Sequence, residues 1–535
     1  MGKAGLILSA LVARQSREGN AQTAILYRDT ALSFAELDRL GRKLARAFSD
    51  LGVRRGDRVA VWLPNVPAWH ICLLACSRLG ATVVAINTRF RSAELSQILG
   101  KAEPRVLVLW PDFRGIDFVP SLADCEKSAL SSIDSYVCYS EADADASRIL
   151  GRPAYGWREV LDKPEFDQDH GDPESGCVIF STSGTSSAPK LALHTQVSIS
   201  RHALDTVRAF GYDAPDATIL VATPMCGTSG FGMAAAALAA GRPQVVSPIF
   251  DEAETADLIR QHQVTHTHAT HHILRRLFAA VQDNRMLQSL RLVNCGTGAP
   301  LMVEPAAKRG ICVIGIYGST EVQARFSRQD ECLPLRERAV GGGMPISGDA
   351  MVRSRCLESG RILPHGDDGE LEMNGPSRLA RYLGDAAINR RAFTDDGFVR
   401  TGDLGHTLPD GRFVFVSRIG DILRLAGFLV SPAQIEHVIE QHPAVGVCQV
   451  VGVETANGLR PFAFVQIREG QAFDERLLTD YCRRKMAPYK TPAAFHRLDE
   501  FPVTEGANQT KVQKVRLREM ARALLASGSH GAGNK

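Results

Sequence analysis

Short apolar segments alternate with segments of helical periodicity along most of the chain, and this alternation constrains the fold more than any other feature. The apolar runs include 58–63, 81–86, 105–110 and 218–222, each near a helix-like stretch. Strands that alternate with helices build βαβ units, which give largely parallel sheets. Because 535 residues are too many for one hydrophobic core, we expect an α/β fold with several folding units.

The pattern changes after about Gly420. From there the sequence predicts two short strands, 446–453 and 461–467, and two amphipathic helices, 431–441 and 475–486. This combination is typical of a compact α+β unit. We therefore predict a large N-terminal domain of several subdomains over residues 1–419 and a small, mobile C-terminal domain over 420–526. The Gly- and Ser-rich tail 527–535 is predicted to be disordered.

Charge and hydropathy exclude several classes of function. The net charge is only +3 and no long basic run occurs, so nothing calls for nucleic acid or an anionic membrane surface. No apolar run is long enough to cross a bilayer. The segment 231–240 predicts a buried helix, and 3–13 predicts an N-terminal helix rather than a signal peptide. The polar segment 141–172 predicts a long surface connection.

The twelve cysteines include no CxxC pair. We interpret them as reduced and mostly buried thiols in a reducing compartment. A cytoplasmic location follows.

The sharpest local signal is an apolar strand at 178–180 that runs into a loop of hydroxyls and glycine. Residues 181–190 are Ser-Thr-Ser-Gly-Thr-Ser-Ser-Ala-Pro-Lys. Backbone N–H groups and hydroxyls can surround phosphate oxygens, and the Lys190 ammonium adds positive charge. The loop is not a Walker loop, because Leu191 follows the lysine and the glycine spacing differs. The sequence predicts a phosphate-binding loop of another kind.

Further segments, in the same order along the chain, resemble the adenylate-forming superfamily of acyl-CoA synthetases, luciferases and peptide-synthetase adenylation domains. Besides the phosphate loop they are Gly-Ala-Pro at 298–300, Tyr-Gly-Ser-Thr-Glu at 317–321, Thr-Gly-Asp at 401–403, Arg418, and GFLVSPAQIE at 427–436. The resemblance extends over about residues 20–520. One such motif would be weak evidence, whereas six in the right order make coincidence implausible.

The resemblance implies an acid–CoA ligase that uses ATP, Mg²⁺ and coenzyme A. A carboxylic acid would become its acyl-AMP, and the acyl group would then pass to coenzyme A. Catalysis would rest on Lys511, Glu321 and Thr185, with Glu321 and Thr185 as Mg²⁺ ligands. Gly427 would contact coenzyme A. The residues that the resemblance assigns to ATP are Thr182, Ser183, Gly184, Thr185, Ser186, Lys190, Gly298, Ala299, Pro300, Tyr317, Gly318, Ser319, Thr320, Glu321, Asp403, Arg418 and Lys511.

Lys511 departs from the family pattern Pro-x-Thr-x-Thr-Gly-Lys in its surroundings. Three extra residues precede it, and Thr510 stands where glycine is usual. The spacing to Lys514 keeps the family's register, so Lys511 would bridge the substrate carboxylate and the α-phosphate. A surface lysine is the alternative. In the phosphate loop, Ser186 and Ser187 depart from the family, and Ser187 replaces a glycine where the backbone approaches closely.

The resemblance also points to a hinge and an acid pocket. Gly420 stands where the family pivots its C-terminal domain between the two half-reactions, and an ordinary turn glycine is the alternative. The acid pocket is assigned to Gly227, Phe231 and His271. Gly227 stands where relatives often have histidine, so the pocket would accept acids that are wide near the carboxylate unless neighbours fill the space.

Four histidines close together in sequence invite a metal interpretation. His266 and His268 alternate along a predicted strand, whereas His271 and His272 open a helix. No carboxylate or cysteine completes a ligand set nearby, so a role in the pocket or core is favoured.

Other functions stay open at this point. They are a stand-alone adenylation enzyme that passes acyl-AMP to a carrier protein, a luciferase-like oxidation, and a non-catalytic nucleotide-binding protein. No carrier-type Gly-Gly-x-Ser site follows Lys511. The expected partners are ATP, coenzyme A and a medium-chain, branched, cyclic or aromatic acid, with no nucleic acid and no membrane span. A homodimer is left open.

Overall fold

The computed structural model describes residues 5–18, 22–115, 118–141, 148–182, 189–296, 298–425, 428–455, 458–505 and 510–526. The chain divides into two units. The larger unit comprises Met1–Val352, Glu372–Arg400 and Asp410–Arg412, and the smaller unit comprises Arg353–Leu371, Thr401–Pro409 and Phe413–Lys535. The boundary predicted near Gly420 separates a static domain from a mobile one, and it stays a prediction.

The helices take up the amphipathic and apolar segments between the strands. They are α1 (Leu8–Glu18), α2 (Phe34–Asp50), α3 (Pro67–Leu79), α4 (Ser92–Ala102), α5 (Phe118–Ala123), α6 (Trp157–Leu161), α7 (Gln196–Phe210), α8 (Thr228–Ala240), α9 (Glu252–His262), α10 (His271–Ala280), α11 (Ala299–Ala307), α12 (Ala386–Ala392), α13 (Pro432–Glu440), α14 (Glu475–Lys485) and α15 (Lys514–Ala526).

The strands are mostly short. They are β1 (Thr23–Tyr27), β2 (Thr30–Ser33), β3 (Arg58–Trp62), β4 (Thr82–Ala85), β5 (Val106–Leu109), β6 (Ser135–Cys138), β7 (Arg148–Ile149), β8 (Arg152–Gly156), β9 (Gly176–Thr182), β10 (Lys190–Thr195), β11 (Ile219–Val221), β12 (Gln244–Val246), β13 (His266–His268), β14 (Leu292–Cys295), β15 (Cys312–Ser319), β16 (Gln323–Arg328), β17 (Gly342–Pro345), β18 (Met351–Arg355), β19 (Gly369–Asn374), β20 (Arg381–Tyr382), β21 (Val399–Thr407), β22 (Phe413–Arg418), β23 (Leu423–Leu425), β24 (Phe428–Val430), β25 (Val445–Thr455), β26 (Gly458–Ile467), β27 (Phe495–Arg497), β28 (Val503–Glu505) and β29 (Thr510–Val512).

One sheet of the larger unit has the strand order β20-β10-β9-β4-β3-β5-β6-β8-β7. From β9 to β8 its neighbouring strands run parallel. All four residues of β5, Val-Leu-Val-Leu, are buried, as expected for a parallel strand that is covered on both faces. Strand β10 returns antiparallel to β9.

A second sheet in the larger unit runs β17-β16-β15-β14-β13-β11-β12-β1-β2. Helix α8 packs against α7 and against strands β11, β13 and β16. Val293 and Cys295 of β14 instead join a core cluster with α9, α10 and α11. Because side chains alternate along a strand, Asn294 points to the opposite face from these two. The sheet therefore carries helices on both faces.

The smaller unit builds its own cores. The sheet β25-β26-β27 packs on one side against α13 and α14, and on the other against α15. Two hairpins, β23–β24 and β28–β29, complete it, and most of β21 pairs antiparallel with β22.

The predicted fold class is confirmed, and so are the strands and helices named from the sequence. The α/β alternation gives β3, β4, β5 and β11, and the segment after Gly420 gives β25, β26, α13 and α14. The apolar stretch predicted as a buried helix is α8, in which every residue but the last is buried. The predicted tail lies outside the described residues.

One prediction about organisation is wrong. The segment 141–172 was expected to be an irregular surface connection, yet it contains β7, β8 and α6. Strand β8 extends the first sheet by pairing parallel to β6, with Tyr136 opposite Ala154. The polar composition misled the prediction, since the last strands of a sheet, here β8 and the edge strand β7, need few apolar side chains.

The cysteines are free thiols, as predicted, and nine of the twelve are buried. Burial raises the pKa of Cys138 to about 11 and that of Cys226 to about 12. Cys332 is exposed, and Cys312 and Cys356 are half-buried. Within the described residues, no helix combines the length and the apolar character that a membrane crossing requires.

Candidate active site

The two ends of the predicted phosphate loop are fixed by strand pairing. Lys190, the first residue of β10, lies opposite Thr182, the last residue of β9. The antiparallel pairing therefore brings the Lys190 backbone next to the exit of β9. Residues Ser183, Gly184, Thr185, Ser186, Ser187 and Ala188 lie outside the described residues, and their assignments stay predictions.

Glu321 lies at the tip of the hairpin that joins β15 to β16. The pairing of these strands shifts between Tyr317 and Ser319, so the hairpin is bulged. At the bulge the two backbones approach closely: a Cβ on Gly318 would lie 2.3 Å from the Ala324 carbonyl carbon. Only glycine fits there. The Tyr-Gly-Ser-Thr-Glu motif thus describes a tight turn that presents a carboxylate.

Tyr382 connects Glu321 with Lys190. Its hydroxyl donates a hydrogen bond of 2.5 Å to Glu321 Oε1. Lys190 Nζ lies 5.4 Å from the centre of its ring, a cation–π distance. Strand β20, which carries Tyr382, is held to β10 by antiparallel pairing. A cation, a phenol and a carboxylate from three distant segments therefore meet beside the end of the loop.

A buried histidine holds the turn to the same strand. His194 of β10 donates from Nε2 to the Thr320 carbonyl oxygen at 2.8 Å, and the Leu379 N–H donates to the Glu321 carbonyl oxygen at 2.7 Å. Burial lowers the pKa of His194 to about 4, against the opposing effects of the Thr320 hydrogen bond and Glu321. The imidazole is therefore neutral at pH 7 and acts as a fixed donor.

The Gly-Ala-Pro turn assigned to ATP leads into α11. Ala299 and Pro300 are its first two residues, where proline fits because its missing N–H has no helical partner. A Cβ on Gly298 would lie 2.3 Å from His271 Nδ1, so this turn packs directly on the His271 ring. Burial, together with His272 and Arg275, lowers the pKa of His271 to about 4.

The Thr-Gly-Asp motif and Arg418 come together within the smaller unit. Asp403 of β21 pairs with Arg418 of β22, and Arg418 Nε lies 2.9 Å from Asp403 Oδ1. Arg418 Nη1 also donates to the Thr401 carbonyl oxygen at 3.0 Å. Gly402 has a φ of 68°, which explains the glycine between these residues. A carboxylate and a guanidinium held this way can accept from and donate to a pair of hydroxyls.

Lys511 and Lys514 differ in their surroundings. The Lys511 backbone lies in β29, opposite Thr504 of β28, and its side chain is not described. Lys514 Nζ lies 3.5 Å from Glu436 Oε1 and 4.0 Å from Asp421 Oδ2, so this lysine is engaged in ion pairs within the smaller unit. The catalytic assignment of Lys511 stays a prediction. Gly427 lies outside the described residues.

Gly420 lies in the short 3₁₀ turn Ile419–Asp421. A Cβ placed on it would meet no atom within 4 Å, and its φ is not positive. Neither packing nor this conformation requires glycine here. The hinge role stays a prediction. A glycine at this position would be useful if the backbone adopts a second conformation that other residues disfavour.

Two of the three residues assigned to the acid pocket, Gly227 and Phe231, lie at the start of α8, whereas His271 begins α10 and packs against Gly298. Gly227 directly precedes the helix and is buried. Phe231 packs edge-on against Trp69 and Phe180, with ring centroids 5.8 and 5.2 Å apart. The first turn of α8 also accepts a hydrogen bond from Arg325, a residue that sequence reasoning missed.

The histidine cluster falls where the sequence places it, on β13 and at the start of α10. Among the described residues, no three His, Cys, Asp or Glu side chains could hold a metal ion together. Burial lowers the pKa of His266 to about 4 and that of His268 to about 3. His266 and His268 are therefore buried and neutral at pH 7.

Comparison with known proteins decides the family. The profile of the AMP-binding enzyme family matches residues 12–383, and that of the AMP-binding enzyme C-terminal domain matches residues 434–507. The chain belongs to the AMP-binding enzyme family.

Members of this family with similar sequences cover nearly the whole chain. The chain is 29% identical over 534 residues to indoleacetate–CoA ligase of Aromatoleum aromaticum, covering 97% of this chain and 98% of that protein. It is 28% identical over 512 residues to feruloyl-CoA synthase of an Amycolatopsis species, covering 94% and 97%. A solved structure of an ATP-bound RpMatB-BxBclM chimera has a TM-score of 0.81 at 25% identity, covering 97% and 100%.

Proposed function

We propose that this AMP-binding enzyme is an acid–CoA ligase. Its first half-reaction joins a carboxylic acid to the α-phosphate of ATP and releases pyrophosphate. In its second half-reaction the thiol of coenzyme A attacks the acyl carbonyl and AMP leaves. The observation that carries the proposal is the convergence of Lys190, Tyr382 and Glu321 beside the phosphate loop, in a chain whose relatives are acid–CoA ligases over their whole length.

The first half-reaction brings two anions together, so the enzyme must supply positive charge and oriented donors. Lys190 would act on the outer phosphates together with the loop. Asp403 would accept hydrogen bonds from the ribose hydroxyls, and Arg418 would fix its orientation. Lys511 would stabilise negative charge as the carboxylate oxygen attacks phosphorus.

Glu321 fits a Mg²⁺ site. A single hard carboxylate is typical of Mg²⁺ bound to nucleotide phosphates, which otherwise keeps several waters. Tyr382 holds one Glu321 oxygen, which restricts the orientation of the carboxylate. When bound, Mg²⁺ would neutralise charge on the phosphates.

For the second half-reaction we retain the predicted movement of residues 420–526 about Gly420. Such a rotation would remove Lys511 from the α-phosphate and bring Gly427 to coenzyme A. We place the reaction in the cytoplasm, where ATP and coenzyme A are available.

A panel of short, medium-chain, branched, cyclic and aromatic acids tests the proposal, each with ATP and Mg²⁺ and with or without coenzyme A. We expect at least one acid to give AMP, pyrophosphate and thioester in equal amounts when coenzyme A is present. Acyl-AMP that forms and never passes to coenzyme A would favour an adenylation enzyme that serves a carrier protein. ATP binding without turnover of any acid would contradict the ligase.

A further inference from the structure

Arg325 lies on β16, four residues after Glu321, and its side chain is fully buried. Nη1 donates a 3.0 Å hydrogen bond to the Ser229 carbonyl oxygen in the first turn of α8. A Cβ placed on Gly232 would lie 3.1 Å from the same nitrogen. The guanidinium therefore packs against the helix that begins directly after Gly227, where the acid pocket is assigned.

The charge of Arg325 has no counter-ion in the described part of the chain. Its Nε and Nη2 atoms have no hydrogen-bond partner. Burial is the main cause that lowers its pKa, and the Tyr212 phenol is the group that opposes it; no carboxylate acts on it among the described residues. A buried cation without a partner is strongly unfavourable. The buried guanidinium of Arg325 therefore calls for an anion that the described residues do not supply.

The two unpartnered donors share one edge of the guanidinium. The N–H bonds of Nε and Nη2 on this edge are nearly parallel. An edge of this kind can bind a carboxylate through two parallel N–H···O hydrogen bonds. The bond from Nη1 to Ser229 holds the opposite side and fixes the orientation of the group. Water could satisfy two donors, but it would leave the charge uncompensated.

Three polar groups interact electrostatically with the Arg325 guanidinium: the imidazoles of His202 and His268 and the phenol of Tyr212. His202 of α7 and His268 of β13 are buried, and burial followed by the charge of Arg325 lowers the pKa of each to about 3. His202 Nε2, His268 Nδ1 and the Tyr212 hydroxyl have no hydrogen-bond partner in the described structure. Uncharged imidazoles and a phenol can donate to an anion without adding a competing negative charge.

Resting on the proposed ligase activity, we propose that the acid pocket extends past Gly227 to Arg325 and that the substrate is a dicarboxylic acid. One carboxylate is activated beside Glu321, and the other binds the Nε–Nη2 edge of Arg325. His202, His268 and Tyr212 supply further hydrogen bonds to the second carboxylate.

The test compares α,ω-dicarboxylic acids of increasing length with their monoamides, which match them in size and lack only the second charge. We expect kcat/KM of thioester formation to favour the diacid at the best length by on the order of 100-fold or more, since sites built for a polar group reject analogues without it. A ratio near one at every length would overturn the proposal.

Variants test whether Arg325 is the residue that distinguishes the diacid from its monoamide. Arg325→Met should bring the diacid-to-monoamide ratio close to one, and Arg325→Lys should give an intermediate ratio because it keeps the charge and loses the paired bonds. Arg260→Met on α9, an exposed arginine that pairs with Asp257, is the matched control and should keep the wild-type ratio. An unchanged ratio in Arg325→Met would overturn the proposal.

Ligand-induced stabilisation of the wild-type enzyme does not depend on any variant folding. At equal concentration, the preferred diacid should raise the thermal midpoint more than its monoamide, and equal shifts would contradict the inference. If monocarboxylic acids give thioester while no diacid is preferred, only the Arg325 site is rejected. If no acid gives AMP, the ligase activity itself is rejected.

Discussion

The Tyr382 hydroxyl donates a 2.5 Å hydrogen bond to Glu321 Oε1, although the two residues lie 61 positions apart. The contact places a restraint on the carboxylate that would serve Mg²⁺. Tyr382 lies on β20, a strand of only two residues that pairs with β10 at the edge of the first sheet.

Removing this restraint should weaken adenylation. Tyr382→Phe deletes a hydrogen bond to a charged group, and such bonds contribute about 1.5–3 kcal/mol. We expect kcat/KM for acid-dependent pyrophosphate exchange to fall about 10- to 100-fold, with a higher Mg²⁺ concentration at half-maximal rate. Tyr155→Phe on β8 is the control, and equal kinetics in both variants would show that the hydroxyl has no such role.

Lys511 should be required for the first half-reaction alone. Lys511→Ala should lower pyrophosphate exchange by orders of magnitude and still convert supplied acyl-AMP to thioester, since a rotation of the small domain would move the lysine away. Lys514→Ala is the matched control. It should lower the thermal midpoint instead, because it leaves the largely buried Glu436 carboxylate, whose side chain is 14% exposed, without its lysine. Normal exchange in Lys511→Ala would reject the assignment.

Gly420 offers a comparison between two small changes. Gly420→Ala should leave folding intact, since a Cβ there meets no atom within 4 Å, and both half-reactions should stay close to wild type. Gly420→Pro fixes φ and should slow one half-reaction far more than the other. Equal losses in both half-reactions of the proline variant would count against a pivot.

Acid should destabilise the fold through His194. Its pKa is lowered from 6.5 to about 4 in the folded chain, so the unfolded state binds more protons between these values. The stability that comes from the neutral imidazole is complete above pH 6.5 and is lost as the pH falls towards 4. Near pH 5 the two states differ by about 0.9 proton at this group, which contributes a slope of about 1.2 kcal/mol per pH unit.

Denaturant unfolding across pH 4–7 measures this slope. His194→Gln keeps a side chain that can donate to the Thr320 carbonyl oxygen and removes the titration. Near pH 5 the variant should therefore take up about one proton fewer on unfolding than the wild type, and its unfolding free energy should depend less steeply on pH. An identical pH dependence would show that His194 does not titrate on unfolding.

The sequence predicts the fold class and the motif order because both are local. A strand followed by a loop, or Tyr-Gly-Ser-Thr-Glu at a turn, is visible in adjacent residues. Tyr382 and His194 could not be found in this way, since each acts through a partner more than 60 residues away.

Arg325 lies four residues after the Tyr-Gly-Ser-Thr-Glu motif, and yet its neighbours in sequence do not show whether its guanidinium is buried or exposed. Its importance comes from the absence of a carboxylate in the described packing around it, and only tertiary structure reveals that. The prediction for segment 141–172 was wrong for a related reason, since strands near the edge of a sheet contain few apolar residues.

The distribution of thiols gives the enzyme a native pair of labelling sites. Cys332 is exposed in the larger unit, and Cys356 is half-buried in the smaller one, where hydrogen bonds to its sulfur lower its pKa. Nine other thiols are buried, and burial raises the pKa of the half-buried Cys312 thiol, so these ten would react slowly. Fluorophores at these two positions could follow ATP and coenzyme A binding without engineered cysteines. A constant separation would mean that residues 353–371 stay with the N-terminal body and that the moving part begins near Gly420, whereas a changing separation would place them in the moving part.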